Sequence, residues 1–230
     1  MLKILKNGET VDLAIPTEHF ALNSQWYSWF NRPDLTKYLY WGTFENTPEL
    51  QAEYFRNLEK NKKVFIIQTK NHIPCGVISF SKINMKNKSA DWAILKDNKI
   101  EPQNKRISAL ESVAMLIEYG FEDLGLKRIS CGQHVELKGW QNRLELLGFK
   151  LEGIHEKKYV FDKEVADAQS LSCQYEDYIK IKKFRGNKIW DSKIKMLDRI
   201  NNLPKKTLRE SLDNFFENER LDYYNKVFFL

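Results

Sequence analysis

Tyr119-Gly-Phe-Glu-Asp-Leu-Gly-Leu-Lys-Arg-Ile129, followed by Leu147-Gly-Phe-Lys-Leu-Glu-Gly153, sets the frame in which the rest of the chain is read. Upstream of Tyr119, apolar residues recur at helical spacing back to Ile107, which predicts a long amphipathic helix over 107–124. Gly125 stands just past its end, where a positive φ is wanted and glycine takes it without strain. Arg128-Ile-Ser-Cys-Gly-Gln-His-Val135 reads as a strand, and 139–147 as a short helix stopped by Gly148.

Working outward, Val11-Asp-Leu-Ala-Ile15 alternates and stops at Pro16, a first strand. Trp26, Trp29, Phe30, Leu35 and Leu39 keep helical spacing but are interrupted at Arg32-Pro33, which predicts two short helices. Thr47-Pro48-Glu49 combines a hydroxyl cap, a proline suited to the first turn and an acid at the positive helix end. Val64-Phe-Ile-Ile-Gln-Thr69 and Gly76-Val-Ile-Ser-Phe-Ser81 form a hairpin around Asn71-His-Ile-Pro74, and Lys88-Ser-Ala-Asp-Trp-Ala-Ile-Leu95 follows as a third strand. Tyr159-Val-Phe161 and Tyr175-Glu-Asp-Tyr-Ile-Lys-Ile-Lys182 are expected to close the sheet as a hairpin around a long loop at 162–174. The predicted class is α/β, a mixed central sheet with helices on both faces. Residues 1–182 are expected to form the domain and 183–230 a helical C-terminal extension.

Cys75, Cys131 and Cys173 are odd in number and widely spaced, which argues against a disulfide framework or a zinc cluster. No apolar run approaches the roughly 18 residues of a membrane span, and the first residues lack a signal-peptide pattern. A soluble protein of the reducing cytoplasm is the expectation.

The element order, with YGFEDLGL closing the long helix and Leu147-Gly-Phe with Glu152-Gly153 after it, resembles the GNAT family of N-acetyltransferases over about 10–182. Trp29-Phe-Asn-Arg-Pro-Asp-Leu-Thr-Lys-Tyr-Leu39 is similar to a segment of the subgroup that holds ribosomal-protein and aminosugar (pseudaminic acid pathway) acetyltransferases. The resemblance implies a GNAT-like fold and acetyl-CoA as acetyl donor. Acetyl transfer needs a cradle for the CoA pyrophosphate, a strand edge for pantetheine, a base for the amine and an acid for the departing thiol.

The family's cradle, Q/R-x-x-G-x-G/A, falls on Asn104-Lys105-Arg106-Ile107-Ser108-Ala109, where only Ala109 matches. Lys105, Arg106 and Ser108 can still offer charge and a hydroxyl beside a helix N-terminus; an ordinary solvated helix start is the alternative. The strand over 91–95 would orient pantetheine through Ile94 and Leu95, and Asp91 occupies the place of the family's water-assisted base. An outward acid paired with a lysine is the other reading of Asp91. The tyrosine expected before the Gly-Phe is Leu144, which cannot donate a proton, so His134 is the candidate acid. Tyr40, Trp41 and Trp92 are candidates for an aromatic acceptor wall, with core packing as the competing role. No metal site is expected.

Of the net charge of +6, residues 180–209 alone carry eleven Lys/Arg against two Asp, and 210–230 five acids against two bases, so 1–179 is neutral overall. A neutral core has no general attraction for nucleic acid. The basic stretch has three readings: a solvated helix face, a patch for CoA or nucleotide-sugar phosphates, or a nucleic-acid surface. Apolar residues of the extension at helical spacing predict docking onto the domain or a second copy, a homodimer. The expected activity is acetyl transfer from acetyl-CoA to an amine, in the first place that of a nucleotide-linked aminosugar. A peptide or ribosomal-protein acceptor, or a GNAT-fold binding protein with impaired catalysis, are the alternatives.

Overall fold

The computed structural model describes residues 1–39, 45–100, 102–105, 107–161, 164–204 and 208–228. The strands are β1 (Lys3–Asn7), β2 (Val11–Ile15), β3 (Lys63–Thr69), β4 (Pro74–Asn84), β5 (Ser89–Lys96), β6 (Arg128–His134), β7 (Phe149–Phe161) and β8 (Glu164–Gln174). The helices are α1 (Glu18–Asn23), α2 (Trp26–Trp29), α3 (Pro33–Thr36), α4 (Pro48–Arg56), α5 (Ser108–Glu118), α6 (Lys138–Glu145), α7 (Tyr175–Phe184), α8 (Lys193–Asn201), α9 (Leu208–Glu217) and α10 (Glu219–Phe228). One mixed sheet runs β1-β2-β3-β4-β5-β6-β8-β7. Its neighbours are antiparallel except β5 and β6.

Helices cover both faces, as expected. On one face Ala21, Trp26, Trp29 and Ala52 of α1, α2 and α4 pack on Val64, Ile66, Val77 and Leu95. On the other, α5 packs on Phe65, Ile67, Ile78, Phe80, Ala90 and Ile129, joined by Leu144 of α6 and Tyr178 of α7. α5 is buried nearly all round, which accounts for its apolar residues exceeding a single stripe.

The opening sequence stretch is explained by what it touches. After α5 the chain widens into a π-turn, Tyr119–Asp123, and Gly120 lies so close to the sheet that a Cβ would stand 2.7 Å from both Ile129 Cδ1 and Phe80 Cζ. Gly125 takes φ +67° and turns the chain into β6. Glu122 accepts from the Tyr178 hydroxyl at 2.5 Å and from the Lys182 ammonium, tying this turn to α7.

Three sequence expectations are corrected. The N-terminal residues form β1, an edge strand with no buried position to signal it. Residues 164–174 are strand β8 rather than loop, paired on both sides with β6 and β7. Small and polar residues mask its alternation, and pairing overrides weak β propensity. Residues 175–182 are helical, because Tyr175, Tyr178 and Ile181 lie three apart and face the core together. Beyond them Ile189, Met196 and Ile200 are buried in the α5-side cluster. By contrast α9 and α10 leave Leu221, Tyr223 and Phe228 exposed and meet the domain through Arg220–Glu156 (2.6 Å) and Lys138–Asp213 (3.7 Å). Among the described residues no helix is long and apolar enough to cross a membrane.

Glu111, fully buried in the first turns of α5, accepts from the backbone N–H groups of Glu9, Thr10 (2.8 Å) and Val11 (3.3 Å) and from the Thr10 hydroxyl. One carboxylate thereby ties the β1–β2 turn to the central helix. Burial outweighs these donors and pushes the Glu111 carboxyl above its ordinary value of 4.5. The folded state then holds this proton more tightly than the unfolded chain, so the contribution is present at low pH and lost as pH rises through the raised value. Urea unfolding should show the stability of the native chain relative to Glu111→Gln declining as the pH is raised above 4.5. Glu111→Ala should cost about 3 kcal/mol at neutral pH, since the buried N–H groups of Thr10 and Val11 lose their acceptor.

Candidate active site

The parallel pair β5–β6 is joined at only three positions: Ser89↔Arg128, Ala90↔Ile129 and Asp91↔Ser130. Both strands continue, to Lys96 and His134. Past Asp91 and Ser130 they part, and the facing edges of 92–96 and 131–134 are left without strand pairing. At the apex of this wedge the Ser130 hydroxyl donates to Asp91 Oδ1 at 2.7 Å. Ser81, in register on β4, donates to the Asp91 carbonyl at 3.5 Å.

Beside the apex, on the α1/α2/α4 face, lies a cavity of about 680 Å³. Ser81, Ala93 and Leu95 belong to its floor, Trp26, Phe30 and Tyr54 to its walls, and Glu45, Asn46, Gln51 and Lys62 supply polar groups. The register Lys63↔Phe80↔Trp92 puts Lys62, Ser81 and Asp91 in the adjoining row at one end of it. Tyr54 is 41 % exposed overall, yet burial pushes its hydroxyl above its ordinary value. It therefore stays a proton donor at neutral pH.

The expected site residues divide between the faces. Asp91 sits at the apex, Ile94 and Leu95 border the cavity, and Trp92 does not. Trp92 packs against Phe149 at 5.7 Å in the α5-side cluster, which corrects its assignment to the acceptor wall. Alternation along the strand decides this, because neighbouring side chains point to opposite faces. His134 shares Asp91's face but stands four residues beyond Ser130 on β6, about 13 Å away at 3.3 Å per residue. Its ring lies between Tyr38 (4.9 Å) and Tyr159 (5.1 Å), and Nδ1 accepts from the Glu136 N–H at 3.2 Å, which leaves Nε2 as the donor. Asp91 and His134 thus do not form a directly coupled pair. Leu144 is fully buried in the core. Tyr40, Trp41 and Arg106 lie outside the described residues.

The cradle segment has a specific arrangement. Ile107 takes φ −124° and buries its side chain in the α5-side cluster, so this loop needs no glycine at that position. No side chain caps α5. Asn104 is buried and Lys105 exposed. Ser108 and Ala109 open α5, Ser108 with a buried Oγ that has no hydrogen-bond partner among the described residues. Among the described residues, other buried polar atoms without one include Trp92 Nε1, the Gln133 amide and Asn142 Oδ1 around the wedge, and Trp26 Nε1 on the opposite face. Gln133 alternates with Ile129 and Cys131, so it faces the same side as Trp92. Unsatisfied groups on both arms of the wedge and on α6 fit an occupant carrying amides and phosphates, since buried polar groups otherwise find partners. Burial pushes the Cys131 thiol up, and that of Cys173 to about 12, so neither is a nucleophile. Among the described residues no cluster of His, Cys, Asp or Glu could hold a metal.

Residues 19–150 match the family model described as the acetyltransferase (GNAT) domain, more than half of the chain. The chain belongs to the GNAT acetyltransferase family. It is an acetyltransferase whose family draws acetyl from acetyl-CoA, and the wedge, the uncapped helix and the unsatisfied groups fit that cofactor. No curated protein matches the sequence. Among solved structures it is similar to spermidine N-acetyltransferase from Vibrio cholerae in complex with CoA and spermine, with a TM-score of 0.66 and 16% identity over 75% of this chain and 99% of that one. A chimera of the same enzyme with hSSAT gives 0.63 and 16% over 74% and 98%. Another acetyltransferase structure gives 0.61 and 17% over 77% and 89%. At such identities the likeness is one of fold.

Sequence reasoning missed Ser130, Tyr54 and Lys62. Only strand pairing places Ser130 opposite Asp91, and only the cavity brings the other two to its end. Restoring the family's glycine with Ile107→Gly should not repair a cradle but empty a core position. A loss of about 3–5 kcal/mol in denaturant unfolding is expected.

Proposed function

We propose that this acetyltransferase acetylates the primary amine of a nucleotide-linked aminosugar held in the cavity beside the wedge. The observation that carries the reading is the placement of Asp91, at the apex of the wedge and directly across the strand pair from Ser81 on the cavity floor. Bound acetyl-CoA supplies an acetyl thioester within the wedge. Asp91 takes a proton from the substrate ammonium, directly or through water, and frees the nitrogen lone pair for attack. The C–N bond forms, the C–S bond breaks, and the departing thiolate gains a proton. With Leu144 where the family has tyrosine, His134 delivers that proton only through intervening water.

The cavity wall favours a sugar over a polyamine. Phe30 and Tyr54 offer faces on which a sugar ring packs, and Ser79 and Ser81 offer partners for its hydroxyls. A linear polycation calls for carboxylates along its length, and among the described lining residues the acid is Glu45 alone, with Lys62, which also reaches Glu59 at 3.1 Å, opposing it in charge. Lys62 in turn suits the phosphates of a nucleotide.

The test is thiol release from acetyl-CoA with a panel of nucleotide-linked aminosugars, polyamines and peptide amines. Turnover confined to polyamines or peptides would remove the aminosugar assignment. Asp91→Asn should lower kcat about 100-fold with CoA affinity retained, since general base catalysis contributes 10²–10⁴. An unchanged rate would take Asp91 out of the mechanism.

A further inference from the structure

Several cations of the basic stretch have partners within the fold, and Lys193 differs from them in the kind of partner it has. Lys182 is held by Glu122. Arg185 donates to the Leu146 carbonyl at 2.7 Å and the Ile189 carbonyl at 2.9 Å, and Arg199 pairs with Asp191 at 2.7 Å. These cations serve the packing of α7 and α8. Lys193 instead donates from Nζ to a neutral amide, Asn104 Oδ1, at 2.8 Å. Asn104 is the first residue of the segment that stands in place of the family's pyrophosphate cradle.

Lys193 is also held firmly. Its backbone N–H donates to Glu9 Oε2 at 2.5 Å, an oxygen shared with Trp190 Nε1 at 3.3 Å. Ile189, Met196 and Ile200 on either side of it lie in the same cluster as Ile107 and Leu110 of α5. Its position opposes helix electrostatics: Lys193 and Lys195 open α8, whose first turn has no acid, although the positive end of a helix disfavours cations. The Glu9 carboxylate answers that cost at the helix end, while the Lys193 ammonium is turned to a neutral amide. The neighbouring start of α5 is uncapped and carries the buried, unpartnered Ser108 hydroxyl, with exposed Lys105 next to it.

We infer that Lys193 is a phosphate-binding residue for CoA, brought to the cradle from beyond the region that matches the family. Asn104 keeps the ammonium at the loop, and α8 replaces with a side-chain charge what the family obtains from glycine-exposed backbone and an arginine or glutamine. Here Asn104 and Ser108 at the start of α5 and Lys193 of α8, far apart in sequence, build one anion site. The inference rests on the reading that the chain binds acetyl-CoA, and the experiment separates the two.

Isothermal titration of the full chain with CoA and with dephospho-CoA would compare the native protein with Lys193→Met, Lys193→Gln and Lys195→Met. Lys193→Gln can still bond Asn104, so it reports on charge should the methionine variant fail to fold. Loss of one charge-assisted hydrogen bond should weaken CoA about 10- to 100-fold in both Lys193 variants. Lys195, 68 % exposed, is the control for a diffuse field and should change affinity by no more than about twofold. A penalty that persists with dephospho-CoA assigns Lys193 to the pyrophosphate; one that vanishes assigns it to the 3′-phosphate. Native affinity in Lys193→Gln, or an equal loss in Lys195→Met, would overturn the inference while leaving cofactor binding intact. A native chain that binds no CoA would overturn the cofactor reading, and the inference with it.

Discussion

Two parallel strands that stop pairing after three residues are the constraint on which the rest of this molecule depends. Parallel pairing is normally continued by covering helices and continuous ladders. Here β5 and β6 are held together only at their first residues, where Asp91 and Ser130 meet, and then diverge toward opposite halves of the sheet. The divergence creates an opening without a cavity in the core, because each half keeps its own antiparallel partners and its own helices. β4 supports β5 and β8 supports β6 along their lengths. A wedge in the middle of a sheet is therefore compatible with a tightly packed protein.

The clamps around that wedge each centre on a buried carboxylate, Asp97 and Glu111. Asp97, at the end of β5, accepts from Arg32 and from the Lys99 N–H at 2.9 Å, while Arg32 and Lys99 both reach Asp34 at 2.8 Å. Burial pulls Asp97 upward, but its donors prevail and hold the carboxyl below its ordinary value. This network fixes α3 against the strand that borders the cavity. On the opposite face, Glu111 fixes the β1–β2 turn to α5, and that turn carries Glu9, which in turn positions α8. The acceptor side and the cofactor side are thus each braced by one buried carboxylate.

Departures from the family pattern acquire physical meaning in this setting. Ile107 and Leu144 are both core residues, so at these positions the chain has packing where the family pattern has site chemistry. Burying an isoleucine instead of exposing a glycine stabilises the start of α5 and removes a close backbone approach. The chemistry lost there has to come from elsewhere, and the unsatisfied Ser108 hydroxyl and the docked α8 lie where it is missing.

Much of this was legible in the sequence by itself. Gly125 and Thr47-Pro48-Glu49 marked helix ends, alternation over 64–81 marked a hairpin, and the place of Asp91 on a strand followed from its neighbours. Such features are local: they depend on φ preferences, capping and periodicity, which neighbouring residues decide. What only the tertiary structure decided was pairing. The small-residue strand β8 exists because β6 and β7 supply its hydrogen bonds, Trp92 belongs to the core because of the face it occupies, and Ser130 meets Asp91 across a parallel ladder. Lys193 meets Asn104 across 89 residues of sequence. Contacts at such separations leave no periodic trace in the chain, since they are set by which surfaces bury one another rather than by any residue's own preference.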